Sequence, residues 1–274
     1  MIKLTLKARP STLFDLSNLL PETLQGKSSD EIAAIEIYSG RRTLQTGDVF
    51  DVELREDNPN LPEVQFSGDL SRASGVGSNM TSGRIFVDSA VGNRVGAGMS
   101  GGEIQINGST GNDTGVAMAG GTIRISGSCG DRTGAAWPGQ KSGMNGGVIF
   151  VDQDCGNLTG SRMRRGVIAI GGNAGTFTGR DMRAGTILVA GSCDASAGDG
   201  MIRGTIVCRK ASAPGTTFRK GQTYLPPVIP LLGSWLNSRD FHGCDGLLSE
   251  TRFETWFGDW THGLKGEFFA VSSV

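Results

Sequence analysis

Few side chains in this chain of 274 residues could do chemistry, and their positions limit which chemistry. Five residues are Cys and two are His. Cys129, Cys155 and Cys193 each stand eleven residues after a methionine, and a metal or redox centre is the reactive use for such a set. Ligands stacked along one edge of a repeat, about 4.8 Å apart, do not converge tetrahedrally on one ion. A ladder of small buried thiols is expected instead, with Cys208 packed like a valine and all five cysteines reduced and metal-free. Both histidines, His242 and His262, fall near the C-terminal end, and no Ser-His-Asp or Cys-His arrangement stands out. Glycoside cleavage needs two convergent carboxylates, and the outward positions hold one acid, Glu103. Gly96-x-Gly98-x-x-Gly101 matches a dinucleotide-binding pattern, but the segment after it reads as a strand rather than a helix, so the match is accidental. No catalytic or metal residue is assigned. The remaining loaded group is basic: Arg162, Arg164, Arg165, Arg180, Arg183 and Arg203. Arg164 and Arg183 share one repeat position and form a positive stripe suited to carboxylates of a partner or ligand. Asp181 and Asp199 lie near enough to make a salt-bridged surface the competing reading.

What positions these residues is a ruler. After the initiator, methionines fall at 80, 99, 118, 144, 163, 182 and 201, at intervals of 19 with a single 26. Three residues after each Met comes Gly, five after comes Ile, and seven after comes Val, Ile or, once, Cys. Ile-x-Val is a short strand, and one such strand cannot bury its own apolar face, so the copies must stack in parallel. The predicted fold is mainly β, a right-handed parallel β-helix of seven Gly-rich coils. The interval of 26 is a seven-residue loop within residues 135–143 that leaves later coils in register. Gly also stands three before Met in six copies, with Lys141 in the fourth, and Gly-Asn recurs before the corner until Asp194-Ala195 replaces it. Residues 1–62 read as a small α+β cap and linker, with strands near Ile2, Ile35 and Val49, a helix opened by Ser28-x-x-Glu31, and a linker from Asn58 to Pro62. Residues 63–213 are the β-helix, and residues 214–274 an aromatic-rich tail.

Composition excludes several classes. Twenty-six basic residues against 27 acidic ones, a net charge of −1, give no field for nucleic acid. No run of eighteen apolar residues and no leader-like start are present, so a cytoplasmic, soluble protein is expected. The outward positions four and six after Met are polar in the first three coils but apolar later, at Val148/Phe150, Val167/Ala169, Thr186/Leu188 and Thr205/Val207. Such a face must be covered, by the chain's own tail or by another subunit. Phe150 and Leu188 as apolar contacts, with Arg164 and Arg183 as charge partners, are the candidate docking residues.

The chain resembles the C subunit of formylmethanofuran dehydrogenase. The resemblance rests on Gly26-Lys27-Ser28-x-x-Glu31-Ile32, Gly47-Asp48-x-Phe50-x-Val52, coils of the form Met118-Ala-Gly-Gly-Thr-Ile-Arg-Ile-Ser-Gly127, the loop after Gly134-Ala135-Ala136, and the ending Gly258-Asp259 with Gly263-x-Lys265-Gly266-Glu267. A related Gly-rich β-helix ends the large subunit of glutamate synthase, and the flanks and loop decide against it. Arg-rich, Lys-poor composition favours the methylotroph formyltransferase/hydrolase complex over the archaeal tungsten or molybdenum dehydrogenase. The resemblance implies a non-catalytic scaffold among other subunits, which move a formyl group from tetrahydromethanopterin to a methanofuran-type carrier and release formate. Carriers and metal would be bound elsewhere in the complex, and no nucleic-acid or membrane partner is implied.

Overall fold

Side chains five and seven after each methionine turn inward because the strand alternates, and the strands pair because that is how neighbouring repeats hide them. A computed structural model of the chain describes residues 1–7, 12–55, 62–194, 196–211, 214–215 and 217–272. The linker expected at Asn58 to Pro62 lies, Pro62 apart, outside them, as does Ala195.

The N-terminal elements are β1 (Ile2–Leu6), β2 (Phe14–Asp15), α1 (Pro21–Leu24), α2 (Ser29–Ala33), β3 (Glu36–Ser39), β4 (Arg42–Gln45), α3 (Thr46–Val49) and β5 (Phe50–Leu54). Helix α2 opens at the capping box foreseen, with the Glu31 N–H donating to Ser28 Oγ and the Ser28 N–H to Glu31 Oε2. The middle of the chain supplies β6 (Glu63–Ser67), β7 (Ala73–Ser74), β8 (Arg84–Val87), β9 (Glu103–Ile106), β10 (Thr122–Ile125), β11 (Asn145–Val151), β12 (Arg165–Ile170), β13 (Thr186–Cys193) and β14 (Gly204–Ala211). The tail holds β15 (Arg219–Tyr224), α4 (Val228–Asn237), α5 (Asp245–Leu248), β16 (Phe253–Gly258), a 3-10 turn (Trp260–His262) and β17 (Gly266–Val271).

These form one large, mostly parallel sheet of thirteen strands, ordered β15-β16-β17-β14-β13-β12-β11-β10-β9-β8-β6-β1-β5, and a sheet of four, β4-β3-β2-β7. The large sheet is open, with β5 and β15 at its edges. Outside the strands, a further column of single parallel bridges runs from Leu70 to Val91, Thr110, Cys129, Cys155, Ala174 and Cys193 in turn, and at Cys193, within β13, it continues as pairing with Ala211 of β14. Here the repeat is spent on turns, too short for full strands. The Met column and the Ile column from Ile85 to Ile206 are buried throughout, as is the Val/Ile column that ends in Cys208.

Three glycine columns make the stacking possible by leaving out a side chain. A Cβ at Gly121 or Gly147 would lie 2.6 or 2.7 Å from the methyl carbon of the preceding repeat's Met99 or Met118. One at Gly115 or Gly134 would lie 2.5 Å from Ile149 or Ile168 Cδ1. One at Gly175 would lie 2.6 Å from Asn157 Oδ1. That last column faces a ladder in which the Asn112 N–H donates to Asn93 Oδ1 (2.8 Å), Asp131 to Asn112 (2.9 Å), Asn157 to Asp131 (2.8 Å) and Thr176 to Asn157 (3.0 Å). Thr176 ends the ladder without a carbonyl or carboxyl oxygen, so the next repeat has no need of glycine and carries Asp194. In the fourth repeat the glycine three before Met is not lost to Lys141. Gly134 fills that place, accepting from the Met144 N–H (3.0 Å) as Gly115 does from Met118 (3.1 Å). The insertion is residues 137–143, and Ile123 still pairs with Ile149 across it.

Both ends of the stack are finished by non-repeat chain. Strand β1 lies parallel to β6, and a Cβ at Gly83 would meet Pro21, not a methionine. At the other end β17 pairs in parallel with β14, Phe268 continuing the Ile column opposite Ile206 and Gly266 lying over Met201. Asp259 fastens this end: its Oδ2 accepts from the Gly200 N–H (3.2 Å) and its Oδ1 from the Thr261 N–H and hydroxyl (2.8 Å each). Burial alone would raise this carboxyl, but those donors together with Thr217 outweigh it and hold it below the usual range.

Replacing Ile149 by Asp puts an unpaired carboxylate mid-stack, and calorimetry should show a loss on the order of 3–5 kcal/mol; an unchanged melting temperature would contradict the inward column. Because the folded Asp259 carboxyl is depressed, its contribution is present above the ordinary carboxylate value and lost as pH falls through the folded one. Asp259→Asn should therefore cost about 2 kcal/mol at neutral pH and flatten the acid limb of a melting-temperature profile.

Candidate functional site

The one departure from the 19-residue period creates the most distinctive surface. Ala135 and Ala136 keep the repeat's turn ladder, the Ala117 N–H donating to Ala135 O (2.9 Å) and the Ala136 N–H to Ser161 O (3.1 Å). The chain then leaves the stack at Trp137 and rejoins it where the Gly143 N–H donates to Arg162 O (2.8 Å). Arg162 clasps the loop from the other side, Nη1 donating to Gln140 O (2.8 Å).

Under this loop lies a cleft of about 430 Å³ lined by Arg132, Trp137, Pro138, Leu158, Arg162 and Arg180. Beside it a second cleft of about 390 Å³ is lined by Lys141, Arg162, Asp181, Arg183, Ile202 and His262. The Arg162–Asp181 pair, 3.4 Å apart, stands between them. Arg132 is gripped by Asp113 through two bonds of 2.7 and 2.8 Å, and this hydrogen bonding holds its guanidinium above the ordinary value. Arg180 stacks on Phe177 with its Cζ 5.0 Å from the ring centroid. Among the described residues, Lys141, Arg164, Arg180 and Arg183 have no acidic partner. Sequence reasoning picked out the loop and Arg162 and Arg180 separately. It missed that Arg132, two repeats earlier than Arg180, shares their cleft, and the available signal was the seven-residue excess carrying Trp137.

Of the four candidate docking residues, Arg164 and Arg183 are exposed. Phe150 and Leu188 are not: they are 1% and 0% exposed, beneath the tail. Phe150 stacks on Phe241 at 4.8 Å and lies 6.4 Å from Trp235, and Leu188, Ala169 and Val207 share one buried cluster with Ile229, Leu236, Leu247 and Phe253. These two side chains are therefore corrected to contacts within the chain. An apolar strand face joined to its own helices through a short connection is covered at far smaller entropic cost than by a second molecule.

The remaining reactive types are occupied structurally. Glu103 pairs with Arg84 (3.3 Å) and Arg124 (3.5 Å), His242 Nδ1 with Asp245 (3.0 Å), and His262 Nδ1 with the Thr261 hydroxyl (3.0 Å). All five cysteines are buried free thiols. A hydrogen bond to the Cys129 sulfur, with burial, holds the Cys155 thiol well up, and burial pushes Cys244 up to about 12, so neither is a ready thiolate. Among the described residues, no three His, Cys, Asp or Glu side chains gather as metal ligands, and no helix is long and apolar enough to cross a membrane.

A chain in the X-ray crystal structure of the formyltransferase/hydrolase complex (FhcABCD) from Methylorubrum extorquens, in complex with methylofuran, superposes at a TM-score of 0.89. It is 35% identical, over 98% of this chain and 99% of that one. The C subunit of the tungsten-containing formylmethanofuran dehydrogenase 2 from Methanococcus maripaludis is 34% identical over 89 residues, and that from Methanothermobacter wolfeii 37% over 87. The chain belongs to the family of formylmethanofuran dehydrogenase C subunits. Its matched stretch spans 32% of the length of each of those two curated relatives. No family model matches. Within the family, likeness to the FhcABCD chain runs from end to end and includes cap and tail.

Truncating Phe150 to Ala should loosen the tail, costing about 3–5 kcal/mol and raising proteolysis in residues 214–274, while far-ultraviolet dichroism of the repeats persists; an unaltered digest would mean that the tail does not depend on this face.

Proposed function

We propose that this chain is the non-catalytic scaffold subunit of a C1 enzyme complex of the formyltransferase/hydrolase type, in which other subunits pass a formyl group from tetrahydromethanopterin to a methanofuran-type carrier and release formate. The single observation that carries this reading is the end-to-end likeness to a chain of FhcABCD. Supporting it, Glu103 is paired with two arginines, both histidines are hydrogen-bonded and all five cysteines are buried, whereas Arg164, Arg180 and Arg183 are exposed and, among the described residues, have no acidic partner. The same reading winds residues 63–213 into a right-handed parallel β-helix of seven coils, with residues 1–62 and 214–274 as end covers, which the parallel register and the second, bridged column favour. It puts the complex in the cytoplasm, its carriers and metal on other subunits, and its docking on the corner that holds Arg164 and Arg183.

Membership of a tungsten- or molybdenum-dependent formylmethanofuran dehydrogenase is the second reading, favoured by the curated relatives' names but carried by 32% of the length of a tungsten form and 19% of a molybdenum form. Affinity purification of the tagged chain from its native source, with identification of co-eluting subunits and assays for formate release and for tungsten or molybdenum, separates the two. A fixed set of large subunits with formate-releasing activity and no such metal is the expected result, and an isolated monomer would end the scaffold reading. Arg164→Glu with Arg183→Glu should weaken assembly roughly tenfold, about 1.4 kcal/mol, without shifting the melting temperature.

A further inference from the structure

We propose that the paired clefts under the 137–143 loop seat an extended, acidic segment of a partner subunit. The proposal rests on the scaffold reading and names the chemistry of one contact within it.

Three observations carry it. The first is charge. The chain as a whole is at −1, yet Arg132, Lys141, Arg162, Arg180 and Arg183 line these two clefts, and only Asp113 and Asp181 answer them through ion pairs with Arg132 and Arg162. Lys141, Arg180 and Arg183 are left free to pair among the described residues, and a guanidinium held at a surface without a carboxylate is a ready partner for one.

The second is shape. The clefts adjoin across the Arg162–Asp181 pair, and their cations come from repeats spaced by about 4.8 Å, so a small anion cannot reach them all. An extended peptide repeats its same-side residues every 6–7 Å or so and can offer a carboxylate to each cleft. Trp137 and Pro138 give such a segment an apolar edge to lie against, which a bare polyphosphate would not use.

The third is that the site is an addition to a stack that does not need it. The ladder of Ala135, Ala136 and Met144 closes without the loop, and Ile123 pairs with Ile149 as if the insertion were absent. The β10–β11 register therefore does not depend on residues 137–143, whose backbone bond into the stack is that of the Gly143 N–H to Arg162 O. Arg162 nonetheless holds them in one place through Gln140 O, which preorganises the cleft wall.

That independence also supplies the test. Removing residues 137–143 restores the interval of 19 between Met118 and Met144 and should leave the melting temperature unchanged. The probe is a fluorescein-labelled oligo-aspartate of about eight residues, roughly 26 Å when extended, measured by anisotropy against the full chain, with oligo-asparagine as control. The wild type should bind oligo-aspartate and not oligo-asparagine. Loop removal, or Lys141→Glu with Arg180→Glu, should weaken binding about tenfold or more. Trp137→Phe should abolish the tryptophan fluorescence change on binding. In the native complex the loop-deleted chain should lose a partner subunit that the wild type retains. Undiminished binding and assembly by the loop-deleted chain overturn the proposal, while the scaffold reading stands if the partners still co-purify. Displacement of the probe by inorganic phosphate at equal charge concentration would make this a small-anion site, and equal displacement by single-stranded DNA an unselective polyanion surface; either overturns it. A wild-type chain that brings down no partner overturns the scaffold reading and this proposal together.

Discussion

Everything in this molecule depends on stacking like residue on like at a rise of about 4.8 Å, a distance too small for three neighbouring side chains to share one place. The repeat solves that exclusion by deletion. Wherever a Met methyl, an Ile Cδ1 or an Asx oxygen reaches along the stack toward the adjacent repeat, that repeat presents glycine, whose absent Cβ is the space being used. The glycine richness of the chain is thus mostly a packing requirement and only secondarily a matter of backbone freedom. The Met–Gly and Ile–Gly columns bring close-packed apolar contact, whereas the Asx–Gly column supplies hydrogen bonds to N–H groups of the turns that no strand pairs.

A stack built this way has no natural end. Its first and last repeats would expose paired-strand edges and a half-used apolar column, so the flanking chain must imitate the missing neighbour. Pro21 does so at one end by filling the space over Gly83, and Phe268 at the other by continuing the Ile column. The tail has a second duty: helices α4 and α5 cover the apolar outward face of β11–β14, with Phe150 sandwiched against Phe241 and Arg124, whose Cζ lies 4.6 Å from its ring. Only then is the remaining surface decided. With the apolar face used internally, what stays accessible at the corner of the later repeats includes Arg164, Arg180 and Arg183.

The same economy accounts for the thiols and for Glu103. Cys129, Cys155 and Cys193 stand in one bridged column with Thr110 and Ala174, Cys129 Sγ accepting from the Thr110 hydroxyl at 3.2 Å, so they fill space there. Glu103 is divided between two arginines in a charge ladder across β8–β10. The insertion at residues 137–143 is where the chain departs from mere repetition.

The period, the inward columns, the capping box of α2, the position of the insertion and the family resemblance were all readable from the amino-acid sequence, because each is a local or translational property that recurs at a fixed spacing. The place of Gly134 was misread since a spacing counted back from Met144 ignores that the insertion falls inside it; hydrogen bonding shows which glycine holds the turn. That Phe150 and Leu188 face the tail, that the column from Leu70 to Cys193 pairs through single bridges, and that Arg132, Trp137, Arg162 and Arg180 share one cleft were decided only in three dimensions. The physical reason is common to all three. A repeat dictates which side chains point in, but what covers an outward face depends on contacts between segments far apart in the chain, whose energies are set by shape and entropy of association and leave no period in the sequence.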